Sequence, residues 1–421
     1  MDLVSGQISG FTNRIDMLKH LLTISLIMIS TAAASVHPAV STGADRLITD
    51  HLALLQGKRV GLVVNQTSRL SSGEFLFDAL QKAGVTVSAL FGPEHGIRGV
   101  AVAGEQVADG VDVQSGVSVY SLYGERNKPT AEMLKHVDVL MYDIQDVGAR
   151  FYTYISTLKL CMDAAAEHQI PFIVLDRPNP LGGQVDGPIL EDSLRSFVGI
   201  VPIPVVYGMT CGELATFMNA SGWLDAGRTA DLTVIWMSGW KRTMTWSDTG
   251  LPWVVPSPNI PTPETAVVYP ATCFVEATNV SEGRGTLAPF FQVGAPFLSA
   301  ESLAIALNAR HLPGVRFAPA HFTPASSKHA GELCHGVKIE IGNRSQYRPV
   351  LTGLVIISEL LAQSPDSVKL NHRWLGKLLG RGSVAGYLEK GGNPVLLEEE
   401  WEAEISWFLK KAAGSQHYPA E

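Results

Sequence analysis

The sequence predicts an α/β protein, in which a largely parallel sheet with helices on both faces is followed by a smaller α+β domain. Three observations carry that prediction. Apolar, β-branched runs without polar alternation recur at "RVGLVV", "VTVSALF", "VDVLMY" and "IPFIVL", as in strands buried on both faces. Helical patterns such as "YISTLKLCMDAAAEHQ" lie between runs. Every run ends in polar, glycine-rich or proline-rich sequence.

In chain order, Lys19 and His20 precede an apolar run from Leu21 to Ile29 and the small residues Ala32 to Ala34. This pattern predicts a signal-peptide region over 1–34, with Met17 as the true start and cleavage near Ala34 or Ser35. The apolar run falls short of the roughly 20 residues of a membrane span, so no stable membrane insertion is expected after its removal. A first domain is expected over 45–297. "RVGLVVNQTS" opens it as a strand, and "SSGEFLFDALQKAG" follows as a helix with Ser71 and Glu74 as a capping box. Further on, "YGMTCGELATFMN" carries a second box at Thr210 and Glu213, and "ADLTVIWMSGW" reads as a strand. The proline-rich stretch from Thr249 to Thr286 reads as a long irregular, functional loop. A second domain, 298–421, holds the strands "VRFAPAHF" and "GVKIEI" and the helix "VLTGLVIISELLAQ". It ends in a helix whose stripe of Leu397, Trp401, Ile405 and Phe408 serves packing.

Composition removes several function classes. A net charge of −8 without a Lys/Arg cluster excludes a nucleic-acid footprint. Cys161, Cys211, Cys273 and Cys334 have no metal-ligand spacing, although Cys273 and Cys334 could pair in an oxidising compartment. There is no nucleotide loop, no GxSxG elbow and no HExxH helix, so neither a metal nor a cofactor is expected.

In a parallel sheet the loops leaving the carboxyl ends of the strands gather on one rim, where ligands bind. Here those loops are "NQT" with Asn65, "GPEHGIR" with Glu94, His95 and Arg98, "DIQDVGAR" and "DRPNPLGG". Glu94 stands out, because Gly92 and Gly96 let a ligand come close, and a carboxyl group partly withdrawn from water suits general acid work. The competing reading is a glutamate that fixes its own loop; His95 reads as an orienting residue. Asp143, Gln145, Asp146 and Arg150 could position a water or an acetamido group, or could bind turn amides. Arg177, with Asp176 and Asn179 beside it, could clamp a carboxylate or pair internally. Glu276, Asn279, Glu282 and Arg284 fall in "EATNVSEGRGT", which is unusual for a core segment.

The chain resembles the exo-β-N-acetylmuramidases of the NamZ type, glycoside hydrolase family 171, formerly a domain of unknown function. The resemblance is carried by "GLVVNQTS", "LFGPEHGIRG", "DIQDVGARFYTYIST", "VLDRPNPLGG", "TGLPWVVPSPNIPT" and "NVSEGRGT" in the same order. It implies a Rossmann-like N-terminal domain and release of terminal N-acetylmuramic acid from the non-reducing end of peptidoglycan fragments. It also implies a periplasmic or secreted location, with Glu94 as the catalytic residue. The second catalytic group is left among Asp143, Asp146, Glu276 and Glu282. The lactyl carboxylate is expected to meet Arg177 or Arg284 ahead of Arg98 or Arg150. A non-catalytic protein that binds peptidoglycan fragments is the alternative, and the oligomeric state is not legible. The ending "GSQHYPAE" departs from the aromatic ending expected of relatives.

Overall fold

β1 (Arg59–Val64) is the centre of the main sheet, and the burial of Val60 to Val64 explains why its sequence never alternates with polar residues. The computed structural model describes residues 40–94, 96–98 and 109–420, and these form one compact unit. After β1 the chain runs through α1 (Leu76–Lys82), β2 (Thr86–Gly92), β3 (Gly110–Val111), β4 (Ser118–Ser121) and β5 (Val139–Asp143). It continues with α2 (Tyr154–Glu167), β6 (Phe172–Leu175), β7 (Val185–Asp186), β8 (Val206–Tyr207), α3 (Cys211–Ala220) and β9 (Leu232–Ile235). α4 (Pro263–Thr272), β10 (Gln292–Ala295), α5 (Ala300–Asn308), β11 (Val315–Phe322) and β12 (Cys334–Ile341) follow. α6 (Pro349–Gln363), α7 (His372–Leu379), α8 (Val384–Glu389) and α9 (Pro394–Ala412) complete the chain.

The main sheet has the order β3-β4-β2-β1-β5-β6-β9, and every pair in it is parallel except β3 with β4 at one edge. Side-chain alternation divides the core between its two faces. Leu62, Met141 and Ile173 pack with Leu76 and Leu80 of α1, while Phe91, Tyr142 and Val174 pack with Leu158 of α2 and Leu214 of α3. From β1 the chain works outward through β2 and β4, then crosses back to β5 and proceeds the other way. The reversal between β1 and β5 is a topological switch point, so a crevice opens at their carboxyl ends. The smaller antiparallel sheet, β10-β12-β11, packs with α5, α5 packs in turn with α6, and β7 pairs with β8.

Local structure departs from the sequence reading in several places. α1 begins at Leu76 behind Phe75, with no capping side chain, because the amide and hydroxyl of Ser71 bind Asp45 instead (2.8 and 3.0 Å). The box at Thr210 and Glu213 does form. The proline-rich stretch contains α4: Thr262 caps it, Pro263 occupies the first turn where a missing N–H costs nothing, and Pro270 sits inside. All four cysteines are free and buried, so Cys273 and Cys334 form no bridge. An aromatic does hold the C-terminal tail, since the buried Tyr418 hydroxyl donates to Asp176 (2.5 Å). Among the described residues no helix is long and apolar enough to cross a membrane; 1–34 lie outside them.

Candidate active site

Glu94 projects, half-buried, from a tight turn just past β2. The turn closes through the Gly96 amide on the Pro93 carbonyl (2.9 Å), and Gly96 takes φ +73°, which its missing side chain permits. A Cβ on Gly92 would lie 3.1 Å from the Ile97 nitrogen, so both glycines are built into the loop. The Thr153 hydroxyl donates to Glu94 Oε2 (3.0 Å). Thr153 is the N-cap of α2, yet its hydroxyl caps nothing there and is directed to Glu94. The positive end of the α2 dipole adds to the field at that carboxylate. Tyr123, from the loop after β4, also hydrogen-bonds Glu94; burial, with the nearby Glu94 charge second, pushes the Tyr123 hydroxyl up to about 12. It therefore stays protonated and donates. Behind this trio lie Tyr152 and Tyr154, edge to face at 4.8 Å, with the Tyr154 hydroxyl on the Pro256 carbonyl (2.7 Å).

The switch point itself holds a buried ion pair. Arg177 grips Asp143 at the end of β5 by two bonds (2.5 and 2.8 Å) and donates to the Arg69 carbonyl (2.9 Å). Asp143 is fully buried, and burial raises its carboxyl against the downward pull of Arg177. The pair is internal, so Asp143 is not free to act on a sugar and Arg177 is not free to clamp one. Asp146 accepts from the Gly148 amide (2.7 Å) and from the Tyr207 hydroxyl, and burial pushes it up to about 6. That is the turn-binding role. Gln145 donates its amide to the carbonyls of Asp146 and Pro178. Asn65 receives the amide and hydroxyl of Thr67, which shapes the loop after β1.

The exo-β-N-acetylmuramidase NamZ N-terminal model matches residues 60–264, and the C-terminal model matches 267–418. The chain is 48% identical over 379 residues to the peptidoglycan β-N-acetylmuramidase NamZ of Bacillus subtilis strain 168, covering 89% of this chain and 90% of the relative. The chain belongs to the NamZ exo-β-N-acetylmuramidase family. Crystal structures of two DUF1343 family proteins from Bacteroides fragilis NCTC 9343 share the fold of this NamZ family member. One aligns with a TM-score of 0.84 at 36% identity, covering 91% of this chain and all of its own; the other gives 0.74 at 29%, covering 91% and 99%.

The remaining residues singled out in this NamZ family member divide by burial. Arg150 is wholly buried and donates to the carbonyls of Pro188, Ile203 and Leu378, which joins the first half of the chain to α7 and takes it out of reach of a ligand. Asn179 binds the Met209 carbonyl and the Leu181 amide. Asn279 binds the Ser367 carbonyl and the Lys369 amide. Both are structural. Glu276 and Glu282 share Arg284 (2.7 and 3.6 Å), and Lys328 completes the cluster at 3.1 Å from Glu282. The four groups are ion-paired with one another, although Glu282 Oε2 and Arg284 Nε are buried without a hydrogen-bond partner among the described residues. Arg98 is exposed and pairs with Asp112 (2.7 Å). His95 lies outside the described residues. Sequence reasoning missed Thr153 and Tyr123, although Thr153 stands in the quoted family segment "DIQDVGARFYTYIST".

Proposed function

We infer that the protein is an exo-acting β-N-acetylmuramidase, a glycoside hydrolase that releases terminal N-acetylmuramic acid from the non-reducing end of peptidoglycan fragments. The observation that carries this reading is Glu94, a half-exposed carboxylate beside the switch-point crevice of a NamZ family chain, held by two hydroxyl donors. Glu94 gives its proton to the leaving glycosidic oxygen and later takes one from the attacking water. The other carboxylates considered are paired with cations or sealed in turns. Their engagement supports the substrate's own 2-acetamido group as nucleophile, a known departure from two-carboxylate catalysis. Its carbonyl oxygen bonds to C1 as the bond to the leaving oxygen breaks, and water then opens that ring with retained configuration.

A chromogenic β-N-acetylmuraminide tests the reading, with the first-formed sugar anomer followed by NMR. Release of chromophore with the β anomer appearing first is expected. No release by the pure protein overturns the muramidase reading, and an α anomer first overturns the acetamido scheme. Peptidoglycan lies outside the cytoplasmic membrane, and the Met17 to Ser35 pattern supports export to the periplasm or medium. Mass spectrometry of protein from its host is expected to find a chain beginning near Ser35. An intact N-terminus would refute export by this signal.

A further inference from the structure

We propose that Arg69 receives the lactyl carboxylate of terminal N-acetylmuramic acid in a narrow pocket beside Glu94; the assignment rests on the muramidase reading above. Arg69 follows β1 in the loop at the switch point. Its Nε donates to the Gln66 carbonyl (3.2 Å), its Nη1 donates to the Gly73 carbonyl (2.9 Å), and the guanidinium stands 5.9 Å from the Phe75 ring centre. Among the described residues Nη2 has no hydrogen-bond partner and no carboxylate forms an ion pair with Arg69. The group is thus fixed in place with an edge of donors unused, an arrangement that binds an anion at little ordering cost.

The pocket is narrow, with little more than water-sized room inside its open mouth, and Thr67, Arg69 and Gln145 line it together with Leu70, Leu251 and Val254. Arg177 also reaches it, but Asp143 neutralises that charge. Arg69 therefore supplies the pocket's uncompensated positive charge. The Arg177 bond to the Arg69 carbonyl gives the buried pair a purpose, since it anchors the loop that carries the binding group.

The pocket and Glu94 flank one segment. Gln66 donates to the carbonyls of Val255 and Pro256 (2.9 and 3.0 Å), and the Tyr154 hydroxyl reaches the same Pro256 carbonyl from beside Thr153, which holds Glu94. β1 and β2 are neighbours in the sheet, so the loops leaving them start about 5 Å apart. The assignment places the O3 substituent of a sugar toward Arg69 when its C1 lies at Glu94. The lactyl group consists of a carboxylate and a methyl, which match the guanidinium edge and the apolar wall. N-acetylglucosamine has only a hydroxyl there and leaves Arg69 to water.

The test compares wild type, Arg69→Met and Arg69→Lys on chromogenic muraminide and glucosaminide, at low and high salt. Arg69→Met is expected to raise KM for the muraminide about ten- to hundredfold and to abolish its salt dependence, with kcat little changed. Arg69→Lys is expected to keep part of the selectivity, because charge survives without the fork. Because loss of the Gln66 and Gly73 contacts could unfold the loop, titration calorimetry on wild type supplies a second measurement. Free N-acetylmuramic acid is expected to bind more tightly than N-acetylglucosamine, and more weakly as salt rises. An unchanged KM in folded Arg69→Met, or equal and salt-insensitive affinities in wild type, overturns the assignment. Failure of wild type to cleave the muraminide at all would instead count against the muramidase reading.

Discussion

Glu94→Gln is expected to fold, to bind N-acetylmuramyl ligands about as well as wild type, and to turn them over at least about a hundredfold more slowly. Glutamine keeps the size of the side chain and an oxygen able to accept from Thr153 and Tyr123, so the loop retains its anchors. It has no proton to give the leaving oxygen. General acid–base assistance contributes on the order of 10² to 10⁴ in rate, or about 3 to 5 kcal/mol of transition-state stabilisation. A near wild-type rate across the pH range would remove Glu94 from the chemistry. Failure to fold would show that Glu94 serves its own loop, and unimpaired binding without any wild-type turnover would favour a pure binding protein.

The fold was legible where the chain obeys simple rules. "RVGLVV" reads as a strand covered on both faces because Val60 to Val64 are so covered, and the Thr210 box forms as written. α4 was hidden because Pro263 and Pro270 suggest a loop, whereas the first turn accepts proline and burial of the helix overrides the second. Site residues were harder for a different reason. A rim loop contains polar residues of two kinds, those that meet ligand and those that hold the loop, and only their partners tell them apart. Arg177 and Asp143 satisfy each other across two strand ends, and Arg150 is sealed against three carbonyls. Thr153 and Tyr123 meet Glu94 because three separate loops converge on one rim. Such pairings depend on strand order, which no local pattern encodes.

Asp143→Asn is expected to lower stability by about 3 to 5 kcal/mol in denaturant unfolding, because it leaves the nearly buried Arg177 guanidinium without its counter-charge. Arg177→Met is expected to cost a similar amount, since it strands the fully buried Asp143 carboxylate. The pair is worth far less than either loss suggests, because most of each loss is the penalty of one unpaired buried charge. Replacing both residues, as Asp143→Leu with Arg177→Met, removes that penalty, so the double variant is expected to recover most of the stability lost by either single. Its KM should still be raised, because the Arg69 carbonyl has lost its anchor and the loop that presents Arg69 is no longer held to β5. Single losses below about 1 kcal/mol would mean that water reaches the pair and that its burial is not the source of its effect. A double variant with wild-type KM would show that Arg69 keeps its place through Gln66 and Gly73 alone.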